Sequence, residues 1–254
     1  MTVPATVRSS EHALQALIDR HRRLYESEEI DTALERIIRD VPFTKLSSWD
    51  IHRILRASRS VFFDTHVEVV SGHHTATYLR FESIARTSQF ITVIARDLAD
   101  WVFRAFCETG LVGIVTTSSD AYVLAERVVD LLYDRMRLRL VATPFNSETG
   151  KIGTEISAGA IRTGERFLSF NDVTTRGMCV SKLGKVITDH GGTLSGMMVF
   201  ARRDSGQFPL MDQLTKQFPF YFCADLKMPQ WEPADCPLCR DRVPLFSWRD
   251  MPEL

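Results

Sequence analysis

The sequence has no long apolar run, few cysteines and almost no net charge, and each of these absences excludes a class of protein. No run approaches the ~20 apolar residues needed to span a bilayer, and the first residues, MTVPATVRSSEH, lack the apolar core of a signal peptide. Five cysteines in 254 residues do not resemble the dense framework of a disulfide-stapled secreted domain. We therefore expect a cytoplasmic protein with mostly reduced thiols and no membrane partner.

The near balance of charge argues against a nucleic-acid partner. Thirty-one basic residues against thirty-two acidic residues leave a net charge of −1, so no overall field attracts the chain to nucleic acid. Apolar residues, in contrast, make up 44% of the sequence. That content is enough to build the core of one large α/β domain, with or without a small appendage.

The hydrophobic pattern predicts helices first and an alternation of strands and helices after them. Residues 10–39 have the apolar spacing of two helices, and Thr32 with Glu35 indicates a capping box. The segment FFDTHVEVV is strand-like, and a long helix is predicted over residues 82–107. Further strands are predicted at residues 111–116, 137–143, 167–170 and 193–201, with helices between them.

This alternation predicts an α/β fold with a mainly parallel central sheet flanked by helices. We divide the chain into a helical N-terminal extension (1–48), the α/β domain (49–228) and a C-terminal tail (229–254). One polar segment inside the α/β domain, PFNSETGKIGTE at residues 144–155, has no periodicity and predicts a mobile loop. Lys151 is the single cation in that segment, and a solvated surface lysine is one interpretation of it.

The most informative segment is FLSFNDVTTRGMCV at residues 167–180, in which an apolar strand leads through a polar turn into a helix. Backbone N–H groups at such a turn converge on a phosphate, and the helix N-terminus favours negative charge. A carboxylate just before the turn can hold ribose hydroxyls or hydrated Mg²⁺. The carboxyl end of a parallel strand is also where open α/β sheets bind ligands. The alternative is a core strand followed by ordinary helix capping.

This segment resembles the phosphoribosyl pyrophosphate (PRPP) motif of type I phosphoribosyltransferases, in which four apolar residues precede two acids, two spacers and a small-residue turn. The resemblance implies that Asp172 binds the ribose, with Asn171 in the place of the first acid. Asn171 supplies no charge to offset an oxocarbenium-like centre or a metal. Arg176 either adds a bidentate phosphate contact or fills the phosphate pocket, and Cys179 replaces the usual Ser/Thr. The implied PRPP-binding residues are Asn171, Asp172, Thr174, Thr175, Arg176, Gly177, Met178 and Cys179.

A second string, SGHHTATY at residues 71–78, is similar to the Ser-Gly-x-x-Ser-x-x-Tyr signature of orotate phosphoribosyltransferases. In that family it forms part of the base pocket. A lysine is common near the signature, whereas here Val70 precedes it and Arg80 is the candidate substitute cation. Partly exposed loop histidines are the alternative interpretation of His73 and His74. The implied base-pocket residues are Ser71, Gly72, His73, Tyr78 and Arg80.

Two further segments match the family in their order. VGIVTTSSDAYVLA (112–125) is similar to the pyrophosphate loop, with Thr117, Ser118, Ser119 and Asp120 in its turn. The glycines common there are missing, and the simplest interpretation of Asp120 is the N-cap of the next helix. Residues 144–155 then correspond to the flexible catalytic loop. The resemblance thus makes Lys151 catalytic together with Asp172, although the histidine usual in that loop is missing.

The segment WEPADCPLCRDRVPL (231–245) resembles a tail found in a subset of orotate phosphoribosyltransferases. Its Cys236 and Cys239 have the spacing of half a tetrahedral zinc site. No second Cys/His pair lies near them in the sequence, and Cys223 is the obvious third ligand. We therefore favour a plain thiol-bearing turn over a zinc site.

Four signatures in family order, over about residues 50–245, imply a glycosyltransferase that moves ribose-5-phosphate from PRPP to a nucleobase and releases pyrophosphate. The family favours an orotate-like pyrimidine, uses Mg²⁺ as cofactor and forms homodimers. The departures at Asn171, at Val70 and in the two loops favour an alternative. This is a catalytically impaired protein that binds PRPP or a nucleotide as a regulator or interaction module.

Overall fold

The computed structural model describes residues 10–203 and 208–253. The helices are α1 (Glu11–Glu26), α2 (Glu29–Ile37), α3 (Ser48–Ser58), α4 (Phe81–Ala85), α5 (Ser88–Phe106), α6 (Asp120–Leu132), α7 (Met178–Asp189), α8 (Pro209–Gln217) and α9 (Pro237–Arg240). The strands are β1 (Ile38–Arg39), β2 (Val61–Phe62), β3 (Val67–Glu68), β4 (His74–Thr75), β5 (Tyr78–Leu79), β6 (Leu111–Thr117), β7 (Arg139–Thr143), β8 (Phe145–Asn146), β9 (Lys151–Ile152), β10 (Arg166–Thr174), β11 (Thr193–Arg203), β12 (Phe220–Leu226), β13 (Gln230–Trp231) and β14 (Phe246–Ser247).

The central sheet has the strand order β1-β12-β11-β10-β6-β7 and is parallel except for the edge strand β1. On one face of β10, Leu168 and Phe170 join the main hydrophobic cluster with residues of α5 and α6. On the other face, Phe167 packs with Leu183 and Ile187 of α7. Burial on both faces explains why these strands read as continuous apolar runs. The predicted α/β class with a mainly parallel sheet is confirmed, and the carboxyl ends of β6, β10 and β11 meet at one edge.

The helical N-terminal extension is confirmed, although one of its boundaries differs from the prediction. The capping box at Thr32 is wrong, because α2 starts three residues earlier, at Glu29, and its first turn holds Glu29 and Asp31, acids that the helix dipole favours there. Ile30 and Leu34 of α2 lie in the main hydrophobic cluster, so this helix packs on the α/β core. The three-part division of the chain stays a prediction.

Three other predicted elements are corrected by the structure. The strand over FFDTHVEVV is broken, because Asp64 has a left-handed φ of 47° between β2 and β3. The long helix at 82–107 is two helices, α4 and α5. Residues 144–155 contain an antiparallel hairpin of β8 and β9 rather than an aperiodic loop. Gly150 closes that hairpin with a φ of 67°, and a Cβ there would lie 2.6 Å from Val70.

A small sheet of order β13-β4-β3-β14 lies outside the central sheet. Its two inner strands, β3 and β4, form an antiparallel hairpin, and the C-terminal segment supplies both edges. The chain between β13 and β14 must therefore pass from one edge of the hairpin to the other. Among the described residues, no helix has both the length and the apolar character that a membrane crossing requires.

Candidate functional site

The turn between β10 and α7 has the geometry of an anion site. Thr174 ends β10, and its Oγ1 accepts a hydrogen bond from the backbone N–H of Gly177 at 3.1 Å. Gly177 caps α7 with a φ of 75°, and a Cβ added there would lie 2.7 Å from Leu214. The first-turn N–H groups of a helix have no intrahelical acceptor, so they are available to an anion. The side chain of Met178, in this first turn, is exposed.

Asp172 is the half-buried acid two residues before the end of β10. The pKa of its carboxyl is raised to about 6, mainly by burial and also by the charge of the nearby Asp120. Hydrogen bonds from the backbone of Val173 and the charge of Arg203 oppose this rise. The charge of Asp172 in turn helps to raise the pKa of Tyr78, although burial of that hydroxyl is the larger cause. The PRPP-like acid and the base-pocket tyrosine of the sequence signatures are thus brought together.

The β6–α6 turn lies at the same edge of the sheet, but its cap differs from the prediction. Ser119, not Asp120, is the N-cap of α6, and it accepts a hydrogen bond from the backbone N–H of Ala121. The Asp120 carboxyl is therefore available for other contacts, and burial raises its pKa. The Thr117 and Ser119 hydroxyls lie 2.7 Å apart.

Ser118 ties this turn to the hairpin segment. Its backbone N–H donates to the Thr143 carbonyl at 2.9 Å, and its Oγ accepts from the backbone N–H of Phe145 at 3.1 Å. The predicted pyrophosphate turn and the predicted catalytic loop are thus hydrogen-bonded to each other.

Arg80 is held by carboxylates from two segments. Its Nε donates to Glu82 Oε2 at 2.9 Å, and its Nη2 lies 2.6 Å from Glu82 Oε2 and 3.2 Å from Glu253 Oε1. Its Nη1 donates to the carbonyl of Met251. Glu253 also pairs with Arg86. The candidate substitute cation is therefore matched by acids, one of them from the C-terminal tail.

The interpretation of His73 and His74 as exposed loop histidines is wrong, because both are buried. The Nε2 of His73 lies 2.7 Å from Glu232 Oε1 and 3.4 Å from Nη1 of Arg176. Its Nδ1 lies 3.2 Å from the Ser71 hydroxyl, and Gly72 takes a φ of 80° in the turn between β3 and β4. Arg176 therefore connects the PRPP-like turn with the SGHH string.

Arg203 is a site residue that lies outside the sequence motifs. It ends β11, and its Nε donates to Thr175 Oγ1 at 2.9 Å. Its charge also lowers the pKa of Tyr78 and of Asp172. The preceding Arg202 pairs with Asp225 at 3.0 Å. The available signal was an arginine pair directly after a buried strand, which places a cation at the carboxyl edge of a parallel sheet.

Some predicted site residues are not joined to the other segments of the site by contacts of this kind. Lys151 is exposed on β9, and within residues 10–203 and 208–253 no hydrogen bond or ion pair joins it to Asp172. Asn171 is buried, and its amide donates to the carbonyl of Val173 at 3.1 Å. Burial raises the pKa of Cys179 to about 11, so its thiol stays protonated.

The cysteines do not group as expected. Cys223 is buried beside Asp97, which excludes it as a partner of Cys236 and Cys239. Those two cysteines lie next to His66 and His74.

Comparison with known proteins agrees with the geometry. No protein-family model matches the chain. The orotate phosphoribosyltransferase of Caldanaerobacter subterraneus is 26% identical over 182 residues, which span 72% of this chain and 87% of that protein. The orotate phosphoribosyltransferase of Heliobacterium modesticaldum is 23% identical over 194 residues, 76% of this chain and 93% of that protein.

Two solved structures share the architecture at lower identity. The orotate phosphoribosyltransferase of Aeropyrum pernix superposes with a TM-score of 0.53 and 14% identity, over 68% of this chain and 92% of that one. The UMP synthase of Leishmania donovani gives a TM-score of 0.52 and 17% identity, over 68% of this chain and 35% of that one. The chain therefore has the type I phosphoribosyltransferase fold, and its sequence is similar to orotate phosphoribosyltransferases at low identity.

Proposed function

We propose that the protein is an enzyme that transfers ribose-5-phosphate from PRPP to a nucleobase and releases pyrophosphate. The observation that carries this proposal is the position of Asp172, at the carboxyl end of β10 and directly ahead of the glycine-capped N-terminus of α7. The names of the sequence relatives support it. They also favour an orotate-like pyrimidine as the base.

Each part of PRPP has a matching group. The first-turn N–H groups of α7 and residues 174–179 suit the 5′-phosphate, and Asp172 suits the ribose hydroxyls. The turn at residues 117–120 suits pyrophosphate. Arg203, between Thr175 and Asp172, supplies positive charge beside the phosphate turn. Tyr78 and the SGHH string lie next to this point and suit the base.

The acids at this edge also fit the Mg²⁺ that the fold family uses with PRPP. Asp172 and Asp120 come from two different strand–helix turns, and the charge of Asp120 raises the pKa of Asp172. Two carboxylates that repel each other beside a phosphate turn are oxygen ligands of the kind that Mg²⁺ prefers. When bound, the ion would offset the charge of pyrophosphate.

In the proposed reaction the bond from C1 of the ribose to the pyrophosphate oxygen breaks, pyrophosphate leaves with the electron pair, and a deprotonated ring nitrogen of the base forms the new bond to C1. Positive charge develops on the ribose ring because bond breaking runs ahead of bond formation. Asp172, ionised above its pKa of about 6, lies where it can stabilise that charge. The remaining contribution of the protein is to hold both reactants in line. We also propose that the protein is a homodimer, in which the hairpin of residues 144–155 reaches the neighbouring subunit.

The test is calorimetric titration of Mg²⁺-PRPP into the full chain, followed by pyrophosphate release on adding orotate and then other bases. Binding followed by release supports the transferase and identifies the base. Asp172→Ala should lose both, whereas Asp134→Ala, a change of an exposed acid remote from this turn, should lose neither. Unchanged PRPP affinity in Asp172→Ala would refute the proposal.

A second candidate function is a binding protein that holds PRPP or a nucleotide without turnover. It is favoured by the buried amide of Asn171, which is turned toward the Val173 carbonyl, and by the exposed position of Lys151. Binding in the calorimeter without pyrophosphate release from any base would select this alternative.

A further inference from the structure

A second cluster of polar side chains lies on the small sheet, apart from the β10–α7 turn. His66 and His74 belong to the β3–β4 hairpin, and Cys236 and Cys239 lie on the chain that joins β13 to β14. One candidate ligand atom from each residue falls within 4.8 Å of all the others. Nε2 of His66 lies 3.0 Å from Nδ1 of His74, 3.5 Å from Sγ of Cys236 and 3.6 Å from Sγ of Cys239. Sγ of Cys239 lies 3.2 Å from Nδ1 of His74.

We propose that these four side chains bind one zinc ion. Zinc bonds of about 2.3 Å to sulfur and about 2.0–2.1 Å to nitrogen place the ligand atoms of a tetrahedron about 3.3–3.8 Å apart. Two of these separations, 3.5 and 3.6 Å, fall within that range, and the other two, 3.0 and 3.2 Å, lie just below it. A small outward adjustment of His74 is therefore enough to seat the ion in a preformed cage. Two thiolates with two imidazoles are a donor set typical of structural zinc and unsuited to Mg²⁺ or Ca²⁺.

The surroundings of the cluster are those of a closed structural site. Nδ1 of His66 lies 2.9 Å from the carbonyl of Val243. That carbonyl accepts a hydrogen bond from the Nδ1–H tautomer of His66, which leaves a lone pair on Nε2 facing the other three ligands. His66 and Cys236 have no exposed surface, and His74 is 3% exposed.

The topology explains why the ligands meet although 170 residues separate His66 from Cys236. Trp231 pairs with His74 at one edge of the hairpin, and Phe246 pairs with Val67 at the other. The chain between them crosses the hairpin, with Cys236 and Cys239 in the middle of the crossing. The proposed zinc therefore fastens the C-terminal tail to the hairpin that carries the SGHH string, and it does not depend on the proposed transferase activity.

The test uses the full chain purified under reducing conditions, without chelator. Elemental analysis should give about one zinc per chain, and X-ray absorption at the zinc edge should show two sulfur and two nitrogen neighbours. Co²⁺ exchanged for the zinc should give the strong visible bands of a tetrahedral, thiolate-bound ion. Cys239→Ser and His66→Gln should lose the metal, whereas Cys107→Ser, which changes an exposed cysteine outside the cluster, should keep it.

Some of these variants can fail to fold, so the absorption and cobalt spectra of the unaltered protein decide the question without them. A shell of oxygen neighbours would overturn the proposal. So would a disulfide between Cys236 and Cys239 in the reduced preparation, or folded protein that takes up neither Zn²⁺ nor Co²⁺. Full zinc content in a folded Cys239→Ser variant would overturn it as well.

Discussion

Asp172→Asn should stabilise the ligand-free protein above pH 6 while it weakens PRPP binding. Burial raises the pKa of this carboxyl from 3.8 to about 6, so the folded state keeps its proton when the unfolded chain has lost it. The free energy of unfolding therefore falls as pH rises from about 4 to about 6, and it stays lower above that window. At about 1.4 kcal/mol per pKa unit, the upper bound is about 3 kcal/mol. We expect about 2 kcal/mol, because the side chain is only half-buried and water screens part of the effect.

The assay is urea unfolding of the wild type and the variant at about pH 4 and about pH 8. The variant should gain about 2 kcal/mol over the wild type at the higher pH and only a small part of that at the lower pH, where the folded carboxyl is neutral and the unfolded one is about half ionised. Asp134→Asn, which alters an exposed acid, serves as the control and should show no such pH dependence. Equal stability of Asp172→Asn and wild type at the higher pH, or a loss there, would refute the reasoning that burial of this charge opposes folding.

Three further changes test the rest of the site. Gly177→Ala should cost about 1–3 kcal/mol by thermal unfolding, because it combines a left-handed φ with a contact to Leu214. Gly164→Ala, with a similar φ and open space around its Cβ position, should cost less, and equal losses would argue against the contact. Glu253→Gln should raise pyrophosphate affinity severalfold by calorimetry, since it removes one of the negative charges that offset Arg80 and Arg86 beside the β6–α6 turn; unchanged affinity would count against that. Arg203→Gln should shift to higher pH the range over which the free energy of unfolding falls in the urea assay, because Arg203 lowers the pKa of Asp172. An unchanged range would contradict this role of Arg203.

The central sheet could be predicted because its strands are buried on both faces and therefore appear in the sequence as continuous apolar runs. Strands β6, β10 and β11 are apolar runs buried on both faces, and the sequence after each of them is rich in small and polar residues. That pattern depends only on local periodicity, so the sequence places the carboxyl ends of these strands at one edge. Asp120 and Asp172 were predicted as site residues from the resemblance of the segments after β6 and β10 to the family motifs, and their place at these strand ends agrees with that prediction. The effect of Asp120 on the pKa of Asp172 could not be predicted, because it depends on which strands are neighbours in the sheet.

Contacts that join distant segments could not be read from the sequence. Glu253 reaches Arg80 across 173 positions, and Arg203 reaches Thr175 from the next strand. Neither contact produces a repeating pattern in the local sequence that would have indicated it. The short strands β3 and β4 are two residues each, too short for alternation to indicate their register. The two histidines of the proposed zinc cluster were missed for the same reason.

The adjacent histidines of the SGHH string connect the two regions of the molecule. Successive residues of an extended strand point to opposite sides, and here Nδ1 of His74 faces Cys239 while Nε2 of His73 faces Glu232 and Arg176. A metal that fixes His74 also fixes the backbone that carries His73, and with it the distance between the base-pocket string and the phosphate turn. The proposed zinc would thus act as a positioning element. The tail closes the small sheet and, through the hairpin, sets the spacing between the base-pocket and phosphate groups that the proposed reaction must align.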